Sequence, residues 1–355
     1  MRTSILGQSG KGIPRVPPGT ASGELFYQEV EVDSGAAFPQ ELILNLIGEN
    51  GVVLQGADQA GVRTNVTVNL DACDHIVVTE ADLPPLLGSS HILTSGSWCF
   101  VADLDLGNNN IVVPAGVSVE LMGLNTDLTS AIVGPVIDVS TDTSHADIEN
   151  LNILTNGGPG GSAIRSRCAA GDFNRITNSR VFGDIGILHE SNGLIVEHCN
   201  GSNADQIIRQ DGANTRLIVK ASRWLGANYA IFVADGFSTQ VWSSWFEFLA
   251  FGIGLPGAPD HCLVMGTEFA NLGTAIDIPS AGMQDLKIRG NDFTLQGVGI
   301  AMPAANVPTG GASIVGNAFS LIGFNFTGFT HLTARVNSKA NLGPGGLLSE
   351  TPIVP

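Results

Sequence analysis

The chain has 355 residues and sets 16 Lys+Arg against 33 Asp+Glu, a formal net charge of −17. Charged residues make up 14%, hydrophobic residues 43%, and there are 45 glycines, a balance that excludes a disordered chain, a coiled coil and a helical bundle. Only 4 of the basic residues are lysine and no run of five cations occurs, which excludes nucleic acid and anionic membranes as partners.

Residues 1–23 are rich in Gly, Pro and Ser and are read as an arm without a core of its own. The string GQSGKG within it lacks the spacing of a phosphate-binding loop, so no nucleotide or other cofactor is expected. No apolar core of a secretory signal follows Met1, and no stretch reaches 18 continuous apolar residues, so no membrane insertion is expected. Over residues 24–96, stretches such as FYQEVEV, ELILNLI, VVLQG and VTVNL alternate in the manner of short strands and predict a small β-rich module. TEADLPPLLG, residues 79–88, predicts one short turn of helix capped by Thr79. The five cysteines, Cys73, Cys99, Cys168, Cys199 and Cys262, form no ligand spacing and are read as buried thiols.

From residue 97 the texture changes to strands of four to six residues broken by Gly, Asn and Pro, which predicts an all-β fold. Past residue 145 a repeat can be counted. Six-residue segments end at Ile153, Val181, Asn200, Trp224, Phe246, Phe269, Phe293 and Phe319, with 28, 19, 24, 22, 23, 24 and 26 residues between ends. Seven residues after most ends comes a second apolar site, at Leu188, Ile207, Ile231, Ile253, Ile276, Ile300 and Phe326. Units of this length without a helix are coils of a parallel β-solenoid, each pairing with the next at about 4.8 Å. The first position of each segment (Ile148, Ile176, Ile195, Val219, Val241, Val264, Ile288, Ile314) is expected to face inward, with the final aromatic stacking in the core. Ser179, Ser222, Ser244, Thr267, Asn291 and Asn317, two before the ends, predict a polar ladder at a corner.

The run LDLGNNNIVVPAGVSVELMGLN followed by VIDVS and ADIENLNI, and the later IxGNxF…GIxI coils, resemble the pectate-lyase-like right-handed parallel β-helices of bacteriophage tailspikes. The resemblance spans residues 97–330, leaving 331–355 as a C-terminal cap and tail. It implies a virion protein made in the bacterial host cytoplasm, a homotrimer attached to other virion proteins through residues 1–96, and contact with a host-surface glycan.

Glycan cleavage on such a scaffold needs two carboxylates across a sugar bond. Glu268 and Asp292 precede the aligned Phe269 and Phe293, with Trp245 at the same site one coil earlier as a glycan-stacking candidate. Against an enzyme, the chain lacks the Asp-Asp, Gly-His-Gly and Arg-x-Lys of polygalacturonate hydrolases of this fold. Arg209 with Asp211 is a weak echo of a lyase base, and His189, Glu190 and His198 do not form a metal site because adjacent strand residues face opposite ways. Outward positions read Ile218, Gln240, Leu263, Lys287 on one stripe and Val196, Lys220, Trp242, Met265, Arg289, Val315 on the other. Ile218, Trp242, Leu263 and Met265 are therefore expected to form an exposed apolar patch and an oligomer interface. The leading expectation is a non-enzymatic virion spike, fibre or decoration protein in tail, baseplate or head, with a glycan depolymerase as the alternative.

Overall fold

A computed structural model describes residues 73–320 apart from 157, 203, 296 and 304–307, and a few strands on either side. The chain divides into two compact units, Met1–Ile76 and Val77–Pro355. Of the first, the antiparallel pair Leu46–Ile47 and Val53–Leu54 is described; the predicted arm over 1–23 lies outside the described residues, as does most of the predicted module before residue 73.

The second unit is a parallel β-solenoid of about ten turns, and its described residues contain no α-helix. Each coil gives one strand to a continuous sheet. From Ser90–Ile92 through Asn110–Val113, Pro135–Val139 and Ser162–Ser166 to Val298–Ala301 and Phe324–Thr327, every neighbour is parallel. The opposite wall carries Gly96–Phe100 and Leu104–Asp105, then two long strands, Ser118–Ser130 and His145–Thr155, and then splits in each coil into a four- or five-residue and a three-residue strand, as in Arg216–Lys220 and Arg223–Leu225.

The corner has a local signature, shared by Asn125 and Asn150 inside the two long strands at φ 61 and 55°. Between the two strands one residue takes a left-handed backbone: Asn178, His198, Ala221 and Ser243 at φ 49, 54, 45 and 49°, then Gly266, Gly290 and Gly316 at 60, 61 and 68°. A residue with a Cβ pays about 1–2 kcal/mol there, and glycine does not. The next residue points inward and repairs the broken ladder. Ser222 Oγ accepts the Cys199 N–H at 3.1 Å, Ser244 Oγ the Ser222 N–H at 3.3 Å, Asn291 Oδ1 the Thr267 N–H at 2.9 Å and Asn317 Oδ1 the Asn291 N–H at 3.0 Å. All are buried, so each bond saves a donor that would otherwise be orphaned at a cost of about 1–3 kcal/mol. The predicted corner ladder is thus present.

Inside, Phe246, Phe269, Phe293 and Phe319 stack with ring centroids 5.0, 5.0 and 4.6 Å apart, as expected, and are fully buried. Each ring contributes about 1.5–3 kcal/mol of burial, with a smaller stacking term. The repeat frame needs correction in one coil. Val196, not Ile195, pairs with Ile176 and Val219 and is buried, and Gly201, not Asn200, aligns with Trp224. Ile187 and Ile208, rather than Leu188 and Ile207, continue the second apolar row. Because Gly201 has no side chain, nothing in the sequence marked the end of that segment.

The turn after Thr79 is a 3-10 helix over Glu80–Asp82, where the Asp82 carboxylate accepts the Thr79 N–H at 2.8 Å. Cys73 and Cys99 are each disulfide cysteines rather than free thiols, which corrects the expectation of five thiols, since the lack of a ligand spacing says nothing of oxidation state. Cys168, Cys199 and Cys262 are free and buried, and burial pushes the Cys199 and Cys262 thiols up to about 12. No helix among the described residues is long and apolar enough to cross a membrane.

Candidate functional site

The register sets Arg223, Trp245, Glu268 and Asp292 in one outward column on consecutive coils. Neighbouring strands in such a column are about 4.8 Å apart, a little less than the roughly 5–5.5 Å between the carboxyl groups of a retaining pair. Both carboxylates are exposed, however, on three-residue strands bounded by bends, Glu268–Ala270 and Asp292–Thr294. Asp292 Oδ1 accepts from the Thr294 hydroxyl at 3.3 Å. Trp245 already holds a cation: the Arg223 guanidinium sits 4.9 Å from its ring centroid and bonds Glu247 at 3.3 Å. The register places the two carboxylates on adjacent coils, and both lie open to solvent.

The neighbouring five-residue strands carry the residues of the expected apolar patch, of which Met265 is exposed and Ile218, Trp242 and Leu263 are half-buried. Lys220, Trp242, Met265, Arg289 and Val315 form one column, and it begins at Glu197 rather than Val196, which faces the core. Ile195, Ile218, Gln240, Leu263 and Lys287 form the other, so Trp242, Leu263 and Met265 are contiguous while Gln240 separates Ile218 from Leu263. Lys220 Nζ lies 5.4 Å from the Trp242 ring centroid. The Trp242 indole N–H is buried and makes no hydrogen bond among the described residues.

Two apolar residues that the sequence did not single out extend this surface. Phe248 and Leu295 end the short strands of alternate coils, are 64% and 48% exposed, and both have φ +56°. The equivalent bends in other coils use Gly226 at φ 58° and Asn271 at 55°, residue types that accept this backbone. A bulky side chain in that conformation, turned to solvent, is unfavourable twice over. With Trp245 at 40% and Met265 at 43% exposure, they place four exposed apolar side chains on three consecutive coils, an interrupted apolar ridge in which Asn271 stands between Phe248 and Leu295. The sequence cue was weak: a Phe and a Leu standing where sister coils place Gly and Asn.

The face of the continuous sheet is different. Arg165 grips Asp138 through Nε and Nη2, both at 2.7 Å, and Arg167 pairs with Glu190 at 2.6 Å. Burial raises the Asp138 carboxyl despite the opposing pull of Arg165. Arg209 bonds Asp211 at 2.9 Å and lies 5.9 Å from the Phe232 ring centroid, an ordinary ion pair at a strand end. Farther along, Tyr229 stacks on Phe251 at 4.6 Å and meets the Phe232 edge at 4.9 Å, closing the aromatic surface on itself. His189 is wholly buried while Glu190 faces outward to Arg167, so the two cannot share a metal. Burial pulls the His189 imidazole down to about 4.

No protein-family model and no curated protein matches the chain. Among solved structures, ORF18 of Geobacillus virus E2 aligns over 75% of this chain and 56% of its own length, at 14% identity and a TM-score of 0.30. Tailspike protein 3 of bacteriophage CBA120 covers 74% of this chain and 56% of its own, at 10% identity and 0.32. The catalytic domain of a GH87 α-1,3-glucanase, in complex with nigerose, covers 74% and 62%, at 9% identity and 0.32. The chain therefore spans between 56% and 62% of the length of these structures.

Proposed function

We propose that the protein is a non-enzymatic structural component of a bacteriophage virion, a pectate-lyase-like β-helix that assembles as a homotrimer. Trp242, Leu263 and Met265, with Trp245, Phe248 and Leu295 beside them, form the contact, and Ile218 lies at its margin. Residues 1–96 attach the trimer to other virion proteins. The observation that carries this reading is the exposed apolar ridge, because monomeric proteins rarely leave such surface bare and a second copy covers it. Labelling purified virions with antibody to the protein, viewed by electron microscopy, tests the reading directly. Three-fold labelled features on tail, baseplate or head are expected, and absence of the protein from the particle contradicts it.

The register pairing of Glu268 with Asp292 supports a second reading, a glycan depolymerase. If it holds, the purified protein releases oligosaccharide from host capsule or lipopolysaccharide, and Glu268→Gln or Asp292→Asn abolishes the release while leaving the fold intact. The structural reading expects no release from the wild type.

A further inference from the structure

This acidic chain leaves several cations without a counter-charge, and they are gathered in one place. Of the ten Lys and Arg between residues 73 and 320, Arg165, Arg167, Arg209, Arg223 and Lys287 form ion pairs. Arg175, Arg180, Arg216, Lys220 and Arg289 form none among the described residues. The first four of these stand on the corner-strand wall within three consecutive coils, those of Phe173–Thr177, Gly193–Glu197 and Arg216–Lys220. Nearby carboxylates are turned to other partners. Asp147 and Asp172 approach His145 at 3.5 and 3.4 Å, and Glu149 accepts from the Asn178 amide at 3.3 Å, which leaves Glu197, next to Lys220 in the register, as the acid set among the cations.

What the cations surround is apolar. Arg175, Ile195 and Ile218 form one outward column, and Ile218 stands between Arg216 and Lys220 on its own strand. Two of the cations are held in place by rings: the Arg216 guanidinium lies 5.3 Å from the Phe237 ring centroid and Lys220 Nζ 5.4 Å from that of Trp242. Two half-buried isoleucines rimmed by positioned cations have the anatomy of a protein contact, apolar in the middle, charged at the edge and rich in arginine.

We infer that this patch docks a short extended segment of a partner protein, with an acidic residue at each end of five and an apolar one in the middle. Positions i and i+4 of a strand are about 13 Å apart, and residues i, i+2 and i+4 of an extended segment laid along it project to one side with the same rise. Its outer carboxylates then meet Arg216 and Lys220 while its central side chain covers Ile218, with Ile195 and Arg175 beside it. A nucleic acid strand or an acidic sugar chain offers charge but no aliphatic group for the isoleucines. The three coils span about 10 Å, room for one extended segment and too little for a globular face. Only Ile218 borders the proposed trimer contact, so the docking site stands or falls independently of the assembly reading.

The test is fluorescence anisotropy of the dye-labelled peptide Gly-Glu-Ser-Leu-Ser-Glu-Gly titrated with the full-length protein. Binding is expected, weakened at least tenfold in the variant that combines Arg175→Ala with Arg216→Ala. It should also weaken as salt is raised from about 0.05 to about 0.5 M. Arg289→Ala, which removes an unpaired cation three coils farther on, should leave it unchanged. Peptides with lysine for glutamate or serine for leucine should bind at least tenfold less well. Arg175 and Arg216 are exposed, so the double variant should melt and sediment as the wild type does. No binding of the peptide, equal binding of its serine form, undiminished binding in the double variant or an equal loss in Arg289→Ala would each overturn the assignment. So would tighter binding of oligothymidylate or trigalacturonate, or altered sedimentation of the double variant, which would make a second copy the occupant.

Discussion

The two outward surfaces of the solenoid handle the same problem, a row of equivalent side chains stacked about 4.8 Å apart, in different ways. On the continuous sheet, Asp138, Arg165, Arg167 and Glu190 neutralise one another within the chain, and Tyr229, Phe232 and Phe251 pack together. On the corner strands, Trp245, Phe248, Met265 and Leu295 remain exposed, two of them in a backbone conformation that suits glycine or asparagine. One surface is complete in a single chain. The other leaves these side chains in solvent, and the proposed assembly rests on that contrast.

The comparison breaks first where the exposed face is charged. Trp242→Asp combined with Met265→Asp should weaken self-association at least 100-fold, about 3 kcal/mol, with Met265→Asp alone, at an exposed position, as the variant that leaves the melting temperature nearly unchanged. Sedimentation equilibrium of the variant reads the effect. No change in its association would detach the ridge from assembly.

A nearly equal effect is expected beneath the complete face, driven by pH. His189 is buried neutral, with its folded value depressed to about 4 against about 6.5 in an unfolded chain. The unfolded state therefore binds the proton first. Stability is fully present above pH 6.5, falls as pH drops below it, and by pH 4.5 is lower by about 3 kcal/mol from this group alone. Denaturant titrations at pH 7 and 4.5 should show that His189→Gln loses less on acidification than the wild type by about that amount.

Smaller changes sharpen the contrast. Arg165→Ala removes both hydrogen bonds to the mostly buried Asp138 carboxylate and should cost about 1–2 kcal/mol of folding stability without altering association. Phe248→Asn should do the reverse. It relieves the left-handed strain, raising stability by about 1 kcal/mol, yet removes an exposed apolar group from the ridge and so weakens association. A variant that is both more stable and less associated is hard to explain if Phe248 has no partner.

Much of this was legible in residue spacing. Phe246, Phe269, Phe293 and Phe319 are large enough that their period marks the coils, and Asn291 and Asn317 mark the buried corner because a polar residue between apolar ones needs a backbone partner. The same reasoning failed where a coil lacks its marker. Gly201 slipped one frame, which misplaced Ile195 and Val196 and put Val196 on the outer stripe. The ridge at Phe248 and Leu295 was hidden because backbone sign is not written in a side chain, and the cation-rimmed patch at Ile195 and Ile218 because its members meet only once adjacent coils are in register. That Cys73 and Cys99 are disulfide cysteines was not legible either, because oxidation state is not written in spacing.

The central claim, that the apolar ridge exists to be covered by further copies of the chain, is tested most directly by sedimentation velocity of the wild-type protein across micromolar concentrations. The account predicts a single species of three chains that gives way to one chain in the Trp242→Asp, Met265→Asp variant. A wild type that sediments as one chain throughout that range would contradict it.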